Sequence, residues 1–93
     1  MNLRSLQHDI AESLDKVSVR PEASPQVGQQ LRAREEEWVA AGGGEDGVRL
    51  LRKAQGLAGM VGASAGDPMA LNSAYRNLLD FKLECRIAAA GTG

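Results

Sequence analysis

The sequence predicts an all-α protein. Apolar residues recur every three or four positions in several segments, no apolar/polar alternation lasts for a strand's length, and Gly or Pro clusters separate the periodic stretches. Together these give a small three- to four-helix bundle, or helical hairpins, with a long C-terminal helix, as one domain over residues 1–93. A chain of 93 residues is short for a bundle, since it buries only about 60–65% of its unfolded surface. Three aromatics, Trp38, Tyr75 and Phe81, leave most of the core to Leu, Val, Ile and Ala, and eleven glycines add unfolded-state entropy.

The first helix is expected over residues 2–19, with Leu3, Leu6, Ile10, Leu14 and Val17 on one stripe and Asp9, Glu12, Asp15 and Lys16 mostly opposite. Pro21 disfavours helical geometry at Arg20, so residues 20–25 are expected to be a linker. A second helix, residues 26–41, carries a sparse apolar edge of Val27, Leu31, Trp38 and Val39, with Arg32 and Glu36 spaced for an i,i+4 pair. Gly42, Gly43 and Gly44 stop it, because glycine readily adopts the left-handed geometry of a helix end. The third helix, residues 45–61, begins with Glu45 and Asp46, which favour its dipole, and presents Val48, Leu50, Leu51, Ala54, Leu57, Ala58 and Val61 to a core. Gly56, Gly59 and Gly62 recur every third position towards and just past its end, so the region is expected to fray or bend, with residues 62–66 a hinge.

The last helix is the best marked. Asp67 is suited to cap the free amides of a first turn, Pro68 suits a position that needs no donor, and no Gly or Pro interrupts residues 69–90. Leu71, Ala74, Tyr75, Leu78, Leu79, Phe81, Leu83, Cys85, Ile87 and Ala88 spread over roughly 260° of its circumference. A helix apolar on so many sides needs cover on as many, and the rest of this chain is short and largely small or polar. The expected core is Leu3, Leu6, Ile10, Leu14, Leu31, Trp38, Leu51, Leu57, Leu71, Tyr75, Leu78 and Phe81, and the surplus apolar surface of the last helix is expected to meet a protein partner.

Composition excludes several functions. Eleven basic and twelve acidic residues balance to −1, which gives no field to attract nucleic acid. No apolar run of about 18 residues exists to span a membrane, and the first residues lack the apolar core of a secretory signal. One cysteine, Cys85, offers no internal disulfide and fits a reducing compartment. His8 has no Cys or His at ligand spacing, so it reads as an exposed helix residue, and Cys85 reads as a small buried hydrophobe. Glu35, Glu36 and Glu37 are consecutive, point in different directions around a helix, and read as a solvated face. The glycine clusters lack the Lys and Ser or Thr of a phosphate loop. The expectation is therefore no enzyme activity, no cofactor, no metal and no small-molecule substrate.

Lys82 and Arg86 interrupt the apolar arc of the last helix four residues apart, and in a self-packing helix they would fix register against acids of a neighbour. Gly66-Asp67-Pro68, followed by Leu71, Tyr75, Leu78, Leu79, the run Phe81-Lys82-Leu83-Glu84 and the small residues Ala88-Ala89-Ala90, resembles the needle and inner-rod subunits of bacterial type III secretion systems. The resemblance covers residues 63–90. The chain departs from that family in the stop at residues 91–93 and in the more elaborate first half around Trp38. It implies subunit contacts at Leu71, Tyr75, Leu78, Leu79 and Leu83, and a location in the cytoplasm or, after signal-independent export, in a secretion apparatus. The candidate interface is Leu71, Tyr75, Leu78, Leu79, Lys82, Leu83 and Arg86. A different class, a helical adaptor or chaperone that holds an amphipathic helix of a partner, is the competing expectation.

Overall fold

Asn2 begins the first helix by accepting a hydrogen bond from the Arg4 amide at 2.9 Å, as an N-cap side chain does. The computed structural model describes residues 2–91; Met1, Thr92 and Gly93 lie outside them, so of the expected stop at residues 91–93 only Gly91 is described. Helix α1 spans Leu3–Val19, α2 Ser24–Ala40, α3 Glu45–Ala63 and α4 Pro68–Ala90, with a 3-10 turn at Pro21–Ala23 between α1 and α2. Among the described residues there is no strand. The molecule is an all-α bundle.

The connections are tighter than the sequence indicates. Residues 20–25 are not an open linker, because Pro25 sits in the first turn of α2, where a missing N–H leaves no bond unmade. Ala40 ends α2, and Gly42, at φ 80°, turns the chain out: its N–H donates to the Val39 carbonyl at 3.0 Å, and the Gly43 N–H to the Trp38 carbonyl at 2.8 Å. Helix α3 does not fray at its glycines but continues to Ala63, so the expected hinge shrinks to the turn after it. Gly62 lies directly beneath Ser24, whose hydroxyl donates to the Ala58 carbonyl. A side chain at Gly62 would push α2 off α3, which accounts for a residue of low helix propensity there.

In cross-section the bundle is a rhombus. Helix α2 packs chiefly on α3 and α4 chiefly on α1, α1 and α3 touch across the short diagonal, and α2 and α4 make no contact. The overall dimensions are 39 × 28 × 18 Å, so the molecule is flattened. Its core contains Leu6, Ile10, Leu14, Leu31, Trp38, Leu51, Leu57, Leu78 and Phe81. Val17, Val27, Val61 and Cys85 join them, with Ala11, Ala54, Ala58 and Ala74. Three expected core residues lie elsewhere: Leu3 is exposed on the first turn of α1, while Leu71 and Tyr75 are half-buried at the edge. Val39, read as part of the α2 edge, faces solvent.

Candidate functional site

Helix α4 occupies a corner of the rhombus, covered by α1 and α3 but not by α2. Asp67 starts it as its spacing predicts, accepting bonds from the Met69 and Ala70 amides at 3.1 and 3.3 Å. The wide apolar arc then divides. Ala74, Leu78, Phe81 and Cys85 face inward and are enclosed, whereas Leu79, Leu83 and Ile87 face outward with 44%, 57% and 65% of their surface exposed. The outward three recur every fourth residue and form one continuous ridge, the unit that packs into the groove of another helix. Met69, at the start of α4, is also exposed.

The predicted interface residues fall into four groups. Leu79 and Leu83 are on the open ridge, and Leu71 and Tyr75 border the core. Leu78 is wholly enclosed, so on the folded molecule it is a core residue and offers nothing to a partner. Ile87 belongs with Leu79 and Leu83, and the four-residue spacing of the three is the signal that identifies it. Lys82 and Arg86, expected to meet acids of a neighbour, are satisfied within the chain. The Lys82 Nζ lies 2.7 Å from the Asp15 Oδ1, and the Arg86 guanidinium donates to Asp15 Oδ2. The Lys82 hydrogen bond and the positive charge of both partners hold the Asp15 carboxyl below its ordinary value of 3.8, against a smaller opposing effect of burial.

Other candidate groups are structural or solvated. His8 is exposed and 3.2 Å from Glu12 on the same helix face. The Cys85 thiol is buried, and desolvation, with the nearby Glu84 charge, pushes its pKa up to about 11, so it is a poor nucleophile while α4 is docked. Glu35 is not part of a solvated face: it accepts a bond from Gln55 at 2.7 Å and pairs with Arg52 at 3.3 Å, tying α2 to α3. The Arg32–Glu36 pair does not form; Arg34 instead reaches Asp9 on α1 at 3.2 Å. Among the described residues no group of His, Cys, Asp and Glu converges as metal ligands, and no helix is long and apolar enough to cross a membrane.

The concave surfaces are open grooves. One of about 430 Å³ lies between the start of α2 and the end of α3, walled by Pro25, Gly28, Gly59 and Gly62. Another of about 400 Å³ runs between α1, α3 and α4, floored by Leu3, Leu50 and Phe81 and rimmed by Asp46, Arg49, Lys53 and Glu84. Neither gathers the nucleophile, base and orienting group that catalysis requires. Compared with protein-family models, with curated proteins and with solved structures, the chain matches none of them.

Proposed function

We propose that this chain is a non-enzymatic helical assembly subunit that associates with further copies of itself through the outward face of α4. The observation that carries the reading is the ridge Leu79–Leu83–Ile87, three large aliphatic side chains exposed in line on a well-capped helix. Burying such a side chain from full exposure is worth about 1.5–3 kcal/mol, and covering the roughly half of each that is still exposed supplies about half of that, a driving force for association with no new polar contact. The resemblance of residues 63–90 to type III secretion needle and inner-rod subunits supports the same direction. It extends the proposal to a structural component of such an apparatus, resident in the cytoplasm before export.

Sedimentation velocity over a wide concentration range tests the reading, with Leu83→Glu as the comparison. The native chain is expected to shift to large species as concentration rises, and Leu83→Glu to remain monomeric with unchanged helicity. A native chain that stays monomeric throughout removes the proposal. One observation favours a second reading, an adaptor for an amphipathic helix: the groove floored by Leu3, Leu50 and Phe81 has an apolar base and a charged rim of both signs. Under that reading the chain stays small and gains thermal stability when an amphipathic peptide is added.

A further inference from the structure

The seams of the bundle are unequally fastened. Helix α2 is tied to α3 and to the loop before it at several separate points: Ser24 to the Ala58 carbonyl, Glu35 to Arg52 and Gln55, and the Trp38 indole N–H to the Gly44 carbonyl at 2.8 Å. Helix α4 is tied to α1 by one carboxylate. Among the described residues, Asp15 alone makes side-chain hydrogen bonds or ion pairs from the rest of the bundle to α4, and it holds both Lys82 and Arg86. The remaining hold is apolar: Ala74, Leu78, Phe81 and Cys85 are enclosed, two of them small, Leu71 and Tyr75 pack half-buried against the core, and Lys53 adds a cation–π contact 5.0 Å above the Phe81 ring.

We propose that Asp15 is a clasp that governs how often α4 leaves α1, and that its release uncovers the enclosed side of α4 for association. The proposal rests on the reading of α4 as the assembling helix and adds its regulation. With the clasp shut, only the outer ridge is available and the Leu78 side is occupied by the chain's own helices. With it open, the apolar arc is exposed on both sides and a neighbouring copy competes with the chain's own α1 for it. Removing one carboxylate breaks two pairs together. It also leaves Lys82, whose side chain is only 18% exposed, without its charged partner. The docked state therefore loses more than an ordinary surface ion pair would supply.

Cys85 reports the opening, because its thiol is enclosed when α4 is docked, and Trp38 reports the opposite corner. The test compares the full chain, Asp15→Asn and, as a control that removes a neighbouring acid of α1, Glu12→Gln. Each is treated with an aromatic disulfide reagent at mildly alkaline pH while Trp38 emission is followed. Asp15→Asn is expected to react about five- to tenfold faster than the native chain, with Trp38 emission unchanged, and Glu12→Gln to match the native rate. High salt, which screens both pairs, is expected to accelerate the native chain in the same direction, and this arm decides the matter if Asp15→Asn does not fold. A Cys85 rate indifferent to Asp15→Asn and to salt overturns the clasp, as does a rise that only accompanies a change in Trp38 emission, since that marks unfolding of the whole bundle. Sedimentation of Asp15→Asn separates the two proposals. Faster Cys85 reaction without growth in size rejects assembly and keeps the clasp; an unchanged rate rejects the clasp whatever the size.

Discussion

Helices α2 and α4 stand at opposite corners of the same rhombus, and each turns a broad side to solvent. Their outer sides differ in kind. Helix α2 presents Gln29, Gln30, Arg32, Glu36 and Glu37, with Val39 its one exposed large hydrophobe among the described residues, whereas α4 presents Met69, Leu79, Leu83 and Ile87. A corner position in a small bundle therefore does not force apolar surface outward, because this chain supplies polar residues where it needs them. The inner sides differ as well: α2 is held by Val27, Leu31, Trp38 and hydrogen bonds at several separate points, α4 by Leu78, Phe81, two small residues, the half-buried Leu71 and Tyr75, and one carboxylate. The helix with the greasier exterior is also the one whose polar ties converge on a single residue.

The largest expected effect lies at the α2 corner. Trp38→Ala is expected to remove about 3–5 kcal/mol of stability in urea titration, because the ring lies across Gly43 and Gly47 and no neighbour can refill that space. A loss below about 1 kcal/mol would mean that α2 is not the firmer corner. Two adjacent residues of α4 sharpen the contrast next. Leu78→Ala is expected to cost about 2–5 kcal/mol, and Leu79→Ala to stay within about 0.5 kcal/mol, since one is enclosed and the other outward. Equal costs would mean that the division of the apolar arc into inner and outer sides is wrong. The smallest effect is with pH. Asp15 titrates lower in the folded chain than its ordinary 3.8, so its contribution is complete above that value and is lost as acid carries the pH down through the folded pKa. Hydrogen exchange of the native chain is expected to show α4 amides losing protection as the pH falls through that range, and Asp15→Asn to remove this step; an unchanged acid step in Asp15→Asn would deny Asp15 its role at the α4 seam.

What the sequence made legible was local chemistry. The Asp67–Pro68 start and the Gly42 stop depend on residues within one turn of each other, and both are where they were read. The stripe of α1 was also legible from Leu6 to Val17, because one-sided periodicity matches one-sided burial, while Leu3 in the first turn lies beyond the cover of the other helices. Pro25 was ambiguous, since a proline in a first turn and a proline in a linker look alike without the helix that follows. Gly62 depends on Ser24, and Lys82 depends on Asp15, partners 38 and 67 positions away that no window along the chain connects. The division of α4 could not be read either. Periodicity locates apolar residues on a helix, but when they occupy most of the circumference it does not say which side the rest of the chain will cover.

The 18 Å short dimension is no more than about two helix diameters of about 10 Å each. The interior is thus a single stratum of side chains shared by both walls, and the alanines at 11, 54, 58 and 74 determine how near the helix axes come. Larger residues at those places would find no deeper stratum to absorb their volume and would thicken the whole slab. The outline of the protein is written in its smallest side chains.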